Sequence, residues 1–384
     1  MVIFLNTKEM NDMDFFDVYV SNSLAGSGNQ YVFESDDQPH TARIYYQLTF
    51  SGTWLYSLLF GNTINGTFAD GSVSKANDMV TGWKLFNVKI GCTREINNET
   101  AAGFRTVTFS GKTFSEKKEK VVGEEDVFFA TDPIQITAKK GDYLCIELSY
   151  SGKKLPNHEE SIISAFLQTD NGWIPTKQTP YPLMIGCDRC VSSTLAYFGD
   201  SITQGIGTEV DSYAHWNAVL TKLLIESSTK ARDMAFWNLG LGYGRASDAA
   251  SNGVWLEEAK RNDYVILCYG VNDLYHSRNG GMDVMDDLRR SVHLLKASGV
   301  KVMVQTVPPF DYPAEMIDHW KRINEFILND LSREADAVFD NVKILGDMAN
   351  GHPEKAVYGG HPNEEGCQKW AEALLPAVLE FIKK

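Results

Sequence analysis

The sequence predicts an α/β protein in two parts: an all-β sandwich, then a parallel sheet with helices on both faces. Three observations predict it. Apolar residues alternate with a period of two as far as about residue 185. From about residue 190, short apolar runs alternate with stretches whose apolar residues are spaced by three and four. The chain has 384 residues, 43% apolar and 22% charged, enough for two ordinary cores without disulfides or metals. The expected domains are 1–185 and 190–384.

In the first part, Ile44, Tyr46, Leu48 and Phe50 alternate with Tyr45, Gln47 and Thr49. In "KLFNVKIGC", Phe86, Val88, Ile90 and Cys92 share a face. In "YLCIELSY", Leu144, Ile146, Leu148 and Tyr150 do the same. Gly, Asn, Asp and Ser clusters separate these runs, as strands in a sandwich require. Trp54, Trp83 and Trp173 fall in this half as core residues or sugar-stacking platforms. "TPYPLMI" at 179–185, with two prolines, reads as a junction.

In the second part, "TLAYF", "AFWNL", "YVILCY" and "KVMVQTV" read as buried strands. Amphipathic stretches such as "DVMDDLRRSVHLLKAS", "HWKRINEFILNDLSRE" and "EEGCQKWAEALLPAVLEFI" read as helices between and after them. Strand–helix–strand repetition implies a parallel sheet covered on both faces.

Composition narrows the function. Net charge is −14, with 16 basic against 22 acidic residues up to position 185 and 20 against 28 beyond it. Neither half has the basic surplus that nucleic acid demands. No run approaches the 18 apolar residues of a membrane span, so no membrane partner is expected, and a homo-oligomer is left open. The start, "MVIFLNTKEMNDMDFF", lacks the basic region of a signal peptide, so the expected location is cytoplasmic, with a secreted protein stripped of its signal peptide as the alternative. Of the six cysteines, Cys187 and Cys190 form a lone C-x-x-C, too few thiols for a zinc site.

In an open parallel sheet the site forms beyond the C-terminal ends of the strands. Three strand ends carry unusual loops. "YFGDSITQG" puts Ser201 at a strand-to-helix turn, with Asp200 or Ser201 as a plain helix cap on the simpler view. "NLGLGYGR" has glycines 240, 242 and 244, which let backbone approach a ligand closely. "YGVNDLYHS" offers the Asn272 amide. His361 follows in "VYGGHPNEEG", ahead of the last helix. Together these supply a nucleophile, a base and oxyanion donors for acyl transfer.

With G-D-S-I at 199–202, the Asn-Gly loop at 238–244, G-V-N-D at 270–273 and H-P-N at 361–363, the chain from about 190 to 384 resembles the SGNH or GDSL hydrolases. The resemblance implies a flavodoxin-like three-layer α/β/α domain, here behind a jelly-roll-like sandwich, an arrangement similar to certain carbohydrate acetylesterases. It implies Ser201 as nucleophile, His361 as base, and an oxyanion hole from the Ser201 N–H, Gly242 or Tyr243, and Asn272. It implies no metal or organic cofactor. The partner it implies is a small-molecule or oligosaccharide acyl ester.

One departure matters. The family pattern places Asp three residues before the histidine, and here that position is Tyr358. The ring would then be oriented by a backbone carbonyl, or by an acid from elsewhere, with Glu354 and Asp347 nearest upstream. Asp200, Tyr243, Arg245, Tyr275, His276 and Trp320 are the candidates for lining the substrate cleft. Three readings follow: an esterase for a small acyl group on a sugar, a lipid esterase, lysophospholipase or thioesterase, and an inactive carbohydrate-binding protein.

Overall fold

The computed structural model describes residues 14–26, 28–67, 75–98, 103–110, 120–158, 162–276 and 282–383. Its first part is built from antiparallel sheets. One sheet runs Val20–Ser21, Met184–Cys187, Gly52–Gly61, Phe128–Ala130, with Ile134–Ala138 also paired to Gly52–Gly61. The other runs Gly172–Pro175, Ala165–Thr169, His40–Gln47, Tyr143–Ser151, Lys84–Thr93, Arg105–Thr106. Ile44, Tyr46, Val88, Ile90, Leu144 and Ile146 meet Tyr56, Leu58 and Phe60 in one buried cluster between them. This is the sandwich that the period-two pattern predicts.

The alternation fails at one place. The Lys84–Thr93 strand buries Leu85 and leaves Phe86 partly exposed. The reason is a register shift: Ser149 pairs with Asn87, but Tyr150 pairs with Leu85. One residue is skipped, so the side chains before it change face. The outer face of this sheet is also covered. Glu147 sits between Arg43 and Lys89 at 2.9 and 2.8 Å, and the Arg43 guanidinium lies 4.3 Å from the Trp173 ring centre. Trp173 therefore packs on the sheet, Trp83 is fully buried, and Trp54 is packed against the sandwich core.

The stretch 179–185 is not a free connection. Tyr181, Leu183, Met184 and Ile185 are buried, and Met184–Cys187 is a central strand. The prolines at 180 and 182 lie just ahead of that strand, where no ladder N–H is lost. Cys187 is buried, and burial pushes its thiol up to about 11; Cys190 is exposed, and both thiols are free.

The second part is a five-stranded parallel sheet in the order Met234–Gly240, Ser193–Gly199, Tyr264–Cys268, Lys301–Gln305, Ala337–Phe339. In chain order that is 2-1-3-4-5, the flavodoxin-like arrangement, and its switch point lies between the Ser193–Gly199 and Tyr264–Cys268 strands. Four strands match the apolar runs in the sequence. The fifth, three residues long, is too short to carry a periodic signal. Helices Trp216–Ser227 and Glu364–Phe381 pack together, as do Ala246–Ala250, Met282–Ala297 and Ala314–Asn329. Trp216 and Trp370 stack at 4.7 Å, and Trp370 Nε1 donates to Gln305 Oε1 at 2.9 Å, which fixes the last helix against the sheet. Among the described residues, no helix is long and apolar enough to cross a membrane.

The two parts share buried polar contacts. Leu24 O accepts from His215 Nε2 at 3.2 Å and Asn238 Nδ2 at 3.0 Å. Trp237 Nε1 donates to Leu183 O, and Thr67 donates through N and Oγ1 to Asp248. Asn65 Nδ2 donates to Glu258, whose carboxyl is pushed up to about 8 by burial, with Asn65 opposing. Glu258 therefore holds its proton in the folded state at pH values where the unfolded chain, near the ordinary 4.5, has released it. Such a group stabilises fully below about 4.5, and that contribution is lost as pH rises through about 8. Glu258→Gln keeps an acceptor for Asn65 and cannot ionise. It should melt close to wild type at pH 5 and higher than wild type at pH 9, each kcal/mol being worth roughly 2–4 °C in a domain of this size. A melting difference that does not change with pH would contradict this.

Candidate active site

The Ser193–Gly199 strand ends in a turn that has no room for side chains. A Cβ on Gly199 would lie 2.1 Å from Cys268 O and 2.2 Å from Thr203 Oγ1. A Cβ on Gly240, the matching end of the next strand, would lie 2.0 Å from Gln204 N. The short helix Ser201–Gln204 is thus seated directly on two strand ends at the switch point. Asp200 is its N-cap, with Oδ1 accepting from Ile202 N at 3.0 Å. Asp200 is 1% exposed, so its carboxylate is a buried cap and does not line the cleft.

Ser201 Oγ and His361 Nε2 are 2.8 Å apart, although 160 residues separate them in sequence. The "VYGGHPN" loop closes on itself, since Asn363 N donates to Tyr358 O at 2.9 Å. Asn363 then caps the last helix, its Oδ1 accepting from Gly366 N. From the other side, Gly207 abuts the loop. A Cβ there would lie 2.6 Å from Pro362 O and 2.7 Å from His361 O, and Gly207 has φ of +104°.

The position that carries Asp in the family pattern holds Tyr358, whose phenol turns away. It accepts from Lys369 Nζ at 2.7 Å, on the last helix, and its Cβ fills the space a Gly366 side chain would occupy. Neither acid named from the sequence reaches the ring either. The Glu354 carboxylate pairs with His352 Nδ1 at 3.2 Å, and Asp347 Oδ1 caps a short turn at Asn350 N. Both are tied to neighbours within three residues, which is why nearness in sequence does not bring them to His361. Among the described residues, His361 Nδ1 donates to no carboxylate or carbonyl oxygen. What does meet the imidazole is Phe310, edge-on at 5.1 Å between ring centres. Burial alone lowers the His361 pKa, so the ring is neutral near pH 7 and its Nε2 can accept the serine proton.

The oxyanion candidates separate. Gly242 N donates to Gln204 Oε1 at 2.7 Å, which commits that amide. Tyr243, next along, has φ of +60°, a left-handed conformation uncommon for a non-glycine residue and typical of functional loops. Asn272 lies on helix Val271–His276 beside this loop, with Nδ2 donating to Gly244 O at 3.1 Å. An Asn amide carries a second N–H. Gly270, with φ of +130°, turns the chain off its strand into that helix. Asp273 is fully buried, accepts from Ala246 N, and is pushed up to about 7 by burial, with Ala246 N–H opposing and nearby Asp248 adding to the rise. It ties the Asn272 helix to the helix that follows the glycine loop.

Of the cleft-lining candidates, Tyr275 sits beside the site. It is 43% exposed, donates to Phe310 O at 3.2 Å and packs edge-on to the Phe310 ring. Trp320 is buried instead, with Nε1 bonded to Val307 O at 2.9 Å, so it supports the Phe310 loop from below and faces no cleft. Arg245 stands at the N-terminus of helix Ala246–Ala250, near Asp248 and Asp273; burial raises both carboxyls, and the Arg245 charge opposes that rise. The side chain of His276 and residues 277–281, within the polar "LYHSRNGGMD" stretch, lie outside the described residues. Sequence reasoning missed Gln204, Gly207 and Phe310. Phe310 follows the Lys301–Gln305 strand, so the strand-end rule already pointed to its loop. Among the described residues, no group of three or more His, Cys, Asp or Glu could hold a metal ion.

Residues 197–369 match the family model described as the GDSL-like lipase/acylhydrolase family. The C-terminal region is a domain of that family. Several solved structures are similar over about half of the chain. An acetyl xylan esterase is 20% identical, covering 48% of this chain and 99% of its own, with a TM-score of 0.38. A member of the lipolytic G-D-S-L family from Veillonella parvula DSM 2008 is 20% identical, covering 48% and 98%, with a TM-score of 0.38. A carbohydrate esterase family 3 protein from Talaromyces cellulolyticus is 19% identical, covering 50% and 98%, with a TM-score of 0.38. No curated protein matches the chain.

The contact at Gly207 gives a direct test of how the GDSL-like domain holds its histidine. Gly207→Ala should displace His361 from Ser201 and lower turnover of a model ester by about 10²-fold, the scale of a misplacement near 1 Å. Unchanged turnover would mean that the His361 loop is held from elsewhere.

Proposed function

We propose that this protein is a serine esterase that removes a small acyl group, acetyl first, from a carbohydrate. The observation that carries the reading is the 2.8 Å contact of Ser201 Oγ with a neutral, buried His361 Nε2 at the sheet's switch point. In the first step His361 takes the Ser201 proton as Oγ attacks the ester carbonyl. The oxyanion of the tetrahedral intermediate is received by the Ser201 N–H, the Tyr243 N–H and the Asn272 side chain. Collapse expels the sugar oxygen, which takes the proton from His361. Water, activated by the same imidazole, then releases the acyl group from Ser201. In this reading residues 190–384 form the catalytic part and 1–185 the accessory part.

The base works in this scheme as one half of a Ser–His dyad. No carboxylate among the described residues stabilises the imidazolium that forms in each transition state, so in this scheme the oxyanion donors carry a larger share of the rate enhancement. The small acyl group is supported by the Phe310 ring beside His361 and by Tyr275 packed on Phe310, which wall the site with aromatic edges. A lipid esterase or thioesterase would need a long apolar groove past that wall. Profiling p-nitrophenyl esters by chain length separates the two: a preference for octanoate over acetate would overturn the small-acyl reading.

Ser201→Ala should lower p-nitrophenyl acetate turnover by at least about 10³-fold. If it hydrolyses the ester as fast as wild type, the esterase reading fails and an inactive carbohydrate-binding protein becomes the better account. Asn272→Ala should cost about 10²–10³ in kcat, the usual worth of one oxyanion donor. Tyr358→Phe should retain most activity, because its phenol bonds an exposed lysine and not the imidazole. A loss as deep as that of His361→Ala would show that the phenol orients the ring after all.

A further inference from the structure

We infer that the antiparallel region is a working part of the active site: Leu24, Gly26 and Gly66 position the Asn238–Gly244 loop that flanks Ser201. The inference rests on the esterase reading and deepens it, by assigning positioning residues outside the GDSL-like domain. Three contacts converge on the loop. The Leu24 carbonyl accepts from Asn238 Nδ2 at 3.0 Å, while Asn238 Oδ1 accepts from Gly240 N at 2.9 Å. Gly26 lies flat on the strand end, where a Cβ would come 2.9 Å from Gly240 O and 3.2 Å from Gln204 Cγ. Gly66 presses on Leu241 from another strand connection, where a Cβ would come 2.7 Å from Leu241 Cδ2.

These contacts act on one hydrogen bond. Gln204 is fully buried on the nucleophile's own short helix, three residues after Ser201, and its Oε1 accepts from Gly242 N at 2.7 Å. That bond sets the loop's height relative to Ser201, and the residue after Gly242 is the left-handed Tyr243. Leu241 is fully buried, and Gly28 approaches its other methyl, with a Cβ there at 3.2 Å from Cδ1. Leu241 therefore has little room to yield. A side chain at position 26 meets backbone and must move the strand end or lift the antiparallel region; one at position 66 presses on the Leu241 methyl, which is hemmed in from the Gly28 side. The region thus does for the glycine loop what the last helix does for His361: it limits the loop to one position.

Gly26→Ala and Gly66→Ala in the full chain test this, with Gly61→Ala as a matched insult elsewhere. A Cβ at position 61 would meet Leu183 Cδ1 at 2.7 Å, with no atom of the Asn238–Gly244 loop among its three nearest contacts. On p-nitrophenyl acetate, Gly26→Ala and Gly66→Ala should lose roughly tenfold or more in kcat with KM little changed, as misplaced transition-state groups do. Amide exchange at Gly242 should speed up in both. Gly61→Ala should lower the melting temperature and leave kcat and Gly242 exchange as in wild type. Adding Leu241→Val to Gly66→Ala removes the methyl that clashes and should restore kcat, and this pair carries the test should Gly26→Ala unfold at the assay temperature. Wild-type kcat in both alanine variants, or unchanged Gly242 exchange, would overturn the inference. If wild type proves no faster than Ser201→Ala, the esterase reading has failed instead, and Gly242 exchange alone decides the positioning.

Discussion

The nucleophile's place depends on a steric constraint at two strand ends. Gly199 and Gly240 bear no side chain because Cys268 O, Thr203 and the Gln204 backbone already occupy that space. With both positions empty, the Ser201–Gln204 helix sits directly on the sheet at the switch point. Ser201 then meets the loops that follow the neighbouring strands. Every later feature of the site uses this seat. Gln204 can reach Gly242 only from here, and His361 meets Ser201 Oγ because the last helix is anchored to Gln305 on the same sheet and to Trp216 on the neighbouring helix.

The histidine is held by packing and backbone more than by charge. Its loop is closed by the Tyr358 carbonyl, capped by Asn363, pressed by Gly207 and flanked by Phe310. A carboxylate at Nδ1 would both orient the ring and favour its charged form. Here orientation comes from the loop, and among the described residues no group favours the charge. The consequence is a weaker base that is already neutral at physiological pH. That arrangement suits an ester, whose alkoxide leaving group asks less of an acid catalyst than an amide would.

The sandwich, the parallel sheet and the four site motifs were legible in the sequence, because periodicity reports burial and strand ends report where the site lies. Ser201, His361 and Asn272 come from the motifs that carry the family resemblance, and the structure sets Ser201 Oγ beside His361 Nε2. What was not legible depends on contacts between distant segments. The bulge that turns Phe86 outward is set by the partner strand's register, not by the strand's own residues. "TPYPLMI" looked like a connection because its prolines were visible and its pairing with Gly52–Gly61 was not. Nearness in sequence points to Glu354 and Asp347, yet each is held by a closer neighbour. The motifs alone place Trp320 and Asp200 at the cleft, but their buried hydrogen bonds face inward.

In the proposed esterase, His361 acts beside Ser201 with no carboxylate of the described residues at its Nδ1. The most direct test is an NMR titration of the His361 imidazole in the intact protein. Burial without a charged partner predicts a ring pKa below the ordinary value of 6.5. A pKa above that value would reveal a carboxylate at Nδ1 and contradict the account.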